Sequence, residues 1–192
     1  GAKIPEIVVL DADLSASTKT AVFAKAFPDR FFDTGIAEGN MMSVAAGLAA
    51  SGKIPFASTF AVFGAGRAYE QIRNSICYPN LNVKVAVTHA GLTVGEDGAT
   101  HQMLEDIALM RALPNMTVVV PADAAETAQV IRWAASYQEP VYIRMGRAKV
   151  EDVISPDAEF VPGKSTTLAD GSDVTIMACG IMTQQALQAA KM

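Results

Sequence analysis

Short apolar stretches rich in β-branched residues alternate along the chain with longer stretches in which apolar residues recur at helical spacing. The short stretches predict strands near 6–10, 30–33, 55–59, 82–88, 117–120 and 141–145. The longer stretches predict helices over 38–50, 65–77, 102–112 and 123–137, the last with Asp123 as its N-cap. This alternation is typical of an α/β domain with a mostly parallel sheet and helices on both faces.

The pattern changes after residue 150. Residues 151–171 contain Pro156, Pro162 and several acidic side chains, so we interpret them as a linker. Beyond the linker, 173–180 predicts another strand and 182–192 another helix. One strand and one helix bury too little apolar surface to form a core of their own. We therefore expect one domain over 1–150, and over 172–192 the start of a second α/β domain that is cut short.

Composition excludes several classes of protein. Hydrophobic residues make up 51% of the 192 residues, but the apolar runs are too short to predict a membrane span. The net charge of -5, without a basic block, argues against nucleic-acid binding. Cys77 and Cys179 lack metal or redox spacing, so we expect two buried thiols. The first residues do not resemble a signal peptide, and a cytoplasmic protein is expected.

Residues that could bind a ligand or take part in a reaction follow the ends of the predicted strands. In open parallel sheets, ligands bind beyond the carboxyl ends of the strands. The first four predicted strands are followed by Asp13, Glu38, Phe60 and His89. These segments should meet at one edge of the sheet. From the residues alone, Glu38 also fits an ordinary acid at a helix N-terminus, and Phe60 with Phe63 fits ordinary core packing.

A long Gly-rich loop, residues 90–102, follows His89. Loops of this kind are more often functional than structural. His89 and His101 lie at its two ends with Asp97 between them, so a catalytic or substrate-binding role and a structural role are both open. The Gly-Glu-Asp-Gly at 95–98 superficially resembles a magnesium-diphosphate motif, but the asparagines that should follow it are missing. We therefore predict that this chain holds no metal.

Four segments, taken in order, resemble successive motifs of the transketolase pyrimidine-binding domain. They are Ala-Asp-Leu at 12–14, Gly-Ile-Ala-Glu at 35–38, Ser-Thr-Phe-Ala-Val-Phe at 58–63 and Gly-Glu-Asp-Gly-Ala-Thr-His-Gln at 95–102. The last block is the most specific. The resemblance covers residues 5 to about 150, and 172–192 resembles the start of the C-terminal domain of that family. It implies thiamine diphosphate as cofactor and transfer of a two-carbon ketol unit between sugar phosphates.

The resemblance also implies which residues bind the cofactor. Glu38 would contact N1′ of the aminopyrimidine ring and so help to activate carbon C2 of the thiazolium ring. Phe60 and Phe63 would pack around the pyrimidine. Asp13 would lie near the cofactor at the junction between subunits.

The substrate would be bound by a second set of residues. By resemblance, His89 and His101 would contact the hydroxyl and carbonyl groups of the sugar, and Asp97 its C2 hydroxyl. Ser17 and Arg147 would bind its phosphate. The sequence departs from the family at Gly66 and Gly39, where many transketolases carry an aromatic residue and a histidine. A further phosphate-binding arginine usually lies upstream of the first strand, outside this chain.

The resemblance covers only the pyrimidine half of a cofactor site. It therefore implies an N-terminal partner subunit that holds the diphosphate and magnesium, in a heterotetramer containing a homodimer of this chain. Three alternatives are a fragment of 1-deoxyxylulose-5-phosphate synthase, the β subunit of a 2-oxoacid dehydrogenase, and a noncatalytic α/β partner subunit. His89 and the sequence Gly-Glu-Asp-Gly at 95–98 favour transketolase over the synthase.

Overall fold

The chain folds around a parallel sheet, seen in a computed structural model that describes residues 1–155 and 157–192. The six strands have the spatial order β2-β1-β3-β4-β6-β5, and every described pairing is parallel. They are β1 (Ile7–Asp11), β2 (Phe31–Asp33), β3 (Ile54–Ser58), β4 (Lys84–Val87), β5 (Thr117–Val119) and β6 (Val141–Arg144). All six strands predicted within residues 1–150 are present, and the predicted fold class is confirmed.

Alternate residues of the central strands face different hydrophobic cores. In β1, Val8 and Leu10 point into one core while Ile7 and Val9 point into the other. Both faces of β1 are buried, which explains its continuous apolar sequence. The edge strands β2 and β5 are only partly buried.

Helices cover both faces of this sheet. The helical segments are α1 (Ser15–Thr18), α2 (Ala21–Ala26), α3 (Glu38–Ala50), α4 (Tyr69–Gln71), α5 (Asp106–Arg111), α6 (Ala124–Ser136) and α7 (Met182–Ala189). Met41 and Met42 of α3 belong to the first core, and Val130 and Ala134 of α6 belong to the second. Asp123 is the predicted N-cap of α6, and its side chain accepts from Glu126 N. The short helices α1 and α2 were not predicted.

The helix predicted over 65–77 begins earlier than expected and is irregular. Two π-helical segments, Val62–Arg67 and Ile72–Cys77, flank α4. Such π-helical turns are often found at functional sites. The first segment follows β3 directly and carries two side chains of the candidate site.

The helix predicted over 102–112 begins only at Asp106. The prediction is wrong for 102–105 because Met103 pairs with Ala90 in an isolated parallel bridge, and its carbonyl accepts from Gly91 N at 2.9 Å. This pairing replaces the first helical turn and closes the Gly-rich loop at its base.

The strand predicted over 173–180 is absent from the structure, where this stretch is irregular and almost entirely exposed. Val174 and Met177 are 76% and 92% exposed. The apolar pattern is present, but strand formation needs a neighbouring strand, and none of the described residues supplies one. Cys179 is exposed, so the expectation of two buried thiols was wrong for it. Cys77 is buried, and burial raises its pKa to about 11.

The first residues of the predicted linker contact the N-cap of α6. The backbone N–H groups of Val153 and Ile154 donate to Asp123 Oδ2 at 2.8 and 2.7 Å. Pro156, which also lies in the predicted linker, is outside the described residues. Across the described ranges 1–155 and 157–192, no helix is both long and apolar enough to cross a membrane.

Candidate functional site

The segments that follow β1, β2, β3 and β4 lie beyond the carboxyl ends of these strands, where backbone contacts join them in pairs. Thr34 N donates to Asp11 O, and Ala61 N donates to Thr88 O at 2.8 Å. An isolated parallel bridge joins Phe60 to Thr88. These backbone contacts bring the predicted site segments to one edge of the sheet, as expected from the position of ligand sites in open parallel sheets.

Glu38 is the first residue of α3 and is 2% exposed. Both of its carboxylate oxygens accept from Nη1 of Arg67, each at 2.9 Å. The Arg67 side chain is 52% exposed. A buried carboxylate at the start of a helix is favoured by the helix dipole and stabilised by this ion pair. Arg67 therefore reaches the buried carboxylate of Glu38 from the solvent side of the site.

Four rings form a cluster that contacts this ion pair through Phe63. Phe60 stacks on His89 with ring centroids 3.7 Å apart and on Phe63 with centroids 5.9 Å apart. Phe63 meets the His101 ring edge-on at 5.4 Å. The Arg67 guanidinium lies over the Phe63 ring, 4.4 Å from its centroid. Glu38, the two phenylalanines and the two histidines therefore belong to one continuous cluster.

The two histidines share a local arrangement in which the preceding threonine contacts the ring. Thr88 Oγ1 lies 2.9 Å from His89 Nδ1, and Thr100 Oγ1 lies 2.9 Å from His101 Nδ1. In each case the threonine engages Nδ1, which leaves Nε2 to meet a ligand. The sequence repeats Thr-His at 88–89 and 100–101. This repeat is a local signal that each Nδ1 is contacted by the hydroxyl of the preceding threonine.

His89 is 7% exposed and adopts a left-handed backbone conformation with φ 60°. Non-glycine residues in this region are often found at functional sites. Burial lowers the pKa of His89, the charges of Arg147 and Lys19 lower it further, and the charge of Asp97 raises it. The neutral imidazole is thus favoured, and these three charged groups lie within electrostatic range of it.

The loop after β1 is built on a buried carboxylate, Asp11. Asp11 Oδ1 accepts from Leu14 N at 2.6 Å, and Oδ2 accepts from the hydroxyls of Thr18 and Thr20. Asp13 lies on the exposed side of this loop with φ 62°. Ser17 is also exposed, and no described contact joins it to the aromatic cluster. Asp13 and Ser17 are therefore available to a ligand or partner but are not part of the ring cluster.

A second buried carboxylate closes the base of the Gly-rich loop. Asp106 Oδ2 accepts from Tyr142 OH at 2.9 Å and from Arg144 Nε at 2.7 Å. Arg144 Nη2 also donates to Met103 O at 3.4 Å. A Cβ on Gly91 would lie 3.3 Å from Arg144 Nη2. Arg144 thus contacts both ends of the loop that carries Asp97 and His101.

Arg147 binds the middle of the same loop. Its Nη1 donates to Val94 O at 2.7 Å, and its Nη2 donates to Glu96 Oε1 at 2.6 Å. A Cβ on Gly95 would lie 2.8 Å from Arg147 Nη1, and φ is +83° there, so glycine is required at this position. Asp97 is exposed next to this contact. Arg147 already has partners here, which sequence reasoning did not foresee.

Four important residues were missed in the sequence: Arg67, Arg144, Asp106 and Asp11. Arg67 lies four positions after Phe63, a spacing that places both side chains on one face of a helical segment. Asp106 and Arg144 are distant in sequence, and no local signal connects them. Among the residues that the structure describes, no group of three His, Cys, Asp or Glu side chains is arranged to hold a metal ion.

The chain is similar to known proteins in both sequence and fold. Residues 1–152 match the family described as "Transketolase, pyrimidine binding domain". A protein of Methanocaldococcus jannaschii described as a transketolase C-terminal section is 56% identical over 193 residues, which cover 100% of this chain and 61% of that protein. A solved structure described as a split gene transketolase, an inactive beta4 tetramer, has a TM-score of 0.90 and 65% identity, over 100% of this chain and 62% of that chain.

A different enzyme is also similar. The 1-deoxy-D-xylulose-5-phosphate synthase of Clostridium acetobutylicum is 40% identical over 184 residues, which cover 95% of this chain and 29% of that enzyme. This chain thus spans about three fifths of the transketolase section and of the split-gene protein, 61% and 62% of their lengths, and a smaller share of the synthase.

Proposed function

Because this chain belongs to the transketolase family, we propose that it is the pyrimidine-binding, C-terminal subunit of a thiamine-diphosphate-dependent enzyme that transfers a two-carbon ketol unit between sugar phosphates. The observation that carries the proposal is that Arg67 joins buried Glu38 to a cluster of two phenylalanines and two histidines. Glu38, Phe60, Phe63 and His101 each come from a segment that resembles a family motif, and His89 precedes the last of these segments.

The residues present fit an aminopyrimidine ring. Glu38 offers two carboxylate oxygens to a nitrogen-bound proton, and Phe63 offers a flat face beside them. The space near Gly66 is open, since a Cβ there would meet only Met103 Cε at 3.9 Å. When bound, thiamine diphosphate supplies a nucleophilic carbon that the twenty amino acids lack. Glu38 would hold the proton at N1′, and Phe60 and Phe63 would exclude water from the ring.

The substrate would lie beyond the rings, next to the histidines. His89 and His101 each have Nδ1 engaged by a threonine, so Nε2 of each would face the sugar. A neutral His89 can donate a hydrogen bond to a hydroxyl group or accept one from it, and no charge has to be buried. Asp97 would accept from the C2 hydroxyl of the sugar. Ser17 and Arg147 would bind its phosphate, with the guanidinium as the stronger contact.

We propose that an N-terminal partner subunit completes the site and holds magnesium and the diphosphate. The residues that resemble the family here are those of the pyrimidine half. Asp13 is exposed beyond β1, where a partner can reach it. We expect two copies of this chain in a heterotetramer, because a cofactor shared between subunits requires the interface to repeat.

The synthase activity is the second candidate, and similarity to the synthase of Clostridium acetobutylicum supports it. The two activities differ in the donor, which is a ketose phosphate for transketolase and pyruvate for the synthase. Turnover of the reconstituted enzyme with each donor distinguishes the two activities. An enzyme that consumes pyruvate but not a ketose phosphate is the synthase.

The role of Glu38 is tested by Glu38→Gln in the enzyme reconstituted with its partner. The amide cannot hold the proton at N1′ as the carboxylate does, so deuterium exchange at C2 of the cofactor should slow by about 10²–10⁴-fold. The measurement is proton NMR of the bound cofactor after acid quench. Glu6→Gln, at an exposed position before β1, is the matched control and should exchange like wild type. An exchange rate for Glu38→Gln within tenfold of wild type rejects the assigned role.

A further inference from the structure

Arg67 contacts Glu38 and Phe63 at the same time, and these two contacts match those proposed for the cofactor ring. Its Nη1 donates to both oxygens of Glu38 at 2.9 Å, and its carbon Cζ lies 4.4 Å from the centroid of the Phe63 ring. A flat group with N–H donors therefore lies against an aromatic face and hydrogen bonds to a buried carboxylate. These are the two contacts assigned above to the aminopyrimidine.

Resting on that proposed function, we propose that Arg67 is a further residue of the cofactor site whose guanidinium occupies the pyrimidine position until the cofactor displaces it. The guanidinium and the protonated pyrimidine have the same recognition chemistry, since both are planar and both present N–H groups to a carboxylate. They cannot both lie between Glu38 and the same face of Phe63. Binding of one requires release of the other.

The burial of the two partners shows which of them moves. Glu38 is 2% exposed and fixed at the start of α3, whereas the Arg67 side chain is 52% exposed. Rotation of the Arg67 side chain carries its charge into water without opening the core. Glu38 would then have no partner, and a ligand nitrogen would replace the arginine. The exchange keeps the buried carboxylate hydrogen bonded in both states, which avoids the cost of an unpaired buried charge.

The consequence is a competition within the subunit. The apparent dissociation constant of a ligand equals its intrinsic value divided by the fraction of protein in which the site is open. A half-exposed ion pair and a cation–π contact are each weak. Together they should weaken cofactor binding by about 3- to 30-fold relative to an open site. Arg67 would thus set the cofactor affinity without touching the reacting atoms.

The test is Arg67→Gln in the full-length subunit assembled with its N-terminal partner, with thiamine diphosphate and magnesium as the probe. Tryptophan fluorescence or calorimetry should give a dissociation constant about 3- to 30-fold lower than that of wild type. Arg73→Gln is the matched control, because Arg73 is an exposed arginine in the second π-helical segment and should leave affinity unchanged. Affinity that is unchanged or weaker in Arg67→Gln overturns the inference.

A second measurement does not depend on the variant folding. In the wild-type complex without cofactor, the Nη1–H signal of Arg67 should be protected from exchange, because this nitrogen donates to Glu38. The signal should exchange rapidly with water after cofactor is added. Persistence of the protected signal in the loaded complex rejects displacement while leaving the proposed function intact. Failure of the wild-type complex to bind the cofactor at all would instead reject the proposed function, and the inference with it.

Discussion

Replacing Arg144 by methionine should destabilise the fold and loosen the Gly-rich loop together. Arg144 is paired with Asp106, and their side chains are 18% and 0% exposed. Methionine keeps much of the volume of arginine but leaves the Asp106 carboxylate with Tyr142 OH as its remaining described partner. Asp106 Oδ1 already has no partner in the described part of the chain. A lone buried charge is the expected result.

The size of the effect follows from this burial. Removing one partner of a buried pair costs about 3–5 kcal/mol, because the remaining charge is left uncompensated in a medium of low dielectric constant. The value should fall near the lower end, since Tyr142 OH still donates to Asp106 and water can reach the Arg144 side chain, which is 18% exposed. Most of the loss should therefore come from the charge of Asp106 rather than from lost packing.

Urea unfolding of a two-by-two set of variants separates these causes. If the lone charge is responsible, Asp106→Asn in the Arg144→Met background should restore about 1–2 kcal/mol, because a neutral amide costs less to bury. Arg111→Met, at an exposed position at the end of α5, is the matched control. Either of two results would contradict this explanation. One is an unfolding free energy of Arg144→Met within about 1 kcal/mol of wild type, which is close to the effect of an ordinary surface substitution. The other is no rescue by Asp106→Asn.

Two further predictions concern Arg147 and Lys84. Arg147→Ala should raise KM for phosphorylated sugars by about 10- to 100-fold and leave KM for unphosphorylated sugars unchanged. Glu96→Gln, which changes only the loop side chain that accepts from Arg147 Nη2, should not raise KM. Equal losses on both kinds of sugar would remove Arg147 from the phosphate site. Burial lowers the pKa of Lys84 from 10.5 to about 7, although the charge of Glu139 raises it. The unfolded chain then binds more protons above pH 7, so the free energy of unfolding should rise with pH, by up to about 1.4 kcal/mol per unit. Urea unfolding between about pH 7 and 8.5 should show this slope, and an equal slope in Lys84→Met would contradict it.

The strands and the long helices could be predicted because their signal is local. Central strand β1 is buried on both faces, so its residues 7–10 are all apolar, and α3 begins at Glu38 as the pattern indicated. The same local rule failed at 173–180, where an apolar stretch has no described strand beside it. Whether an apolar stretch becomes a strand depends on its neighbours, and these cannot be read from the stretch itself.

The candidate site was predictable to the extent that strand ends converge. Phe60 and His89 follow strands β3 and β4, which pair side by side, so their contact follows from the topology. Arg67 was missed because its importance lies in a contact with Glu38 across separate segments, formed on a π-helical turn. The interaction of Asp106 with Arg144 spans two distant elements, and a single sequence does not reveal it.

The Arg144 contact with both ends of the Gly-rich loop has an evolutionary consequence. Because Gly91 and Met103 are fixed at the base, the residues between them form a replaceable unit whose exchange leaves the sheet intact. Apart from buried Val94, the residues at 92–97 are exposed. New substrate preferences could therefore arise by recombination or insertion within this unit, while selection on the base preserves the fold.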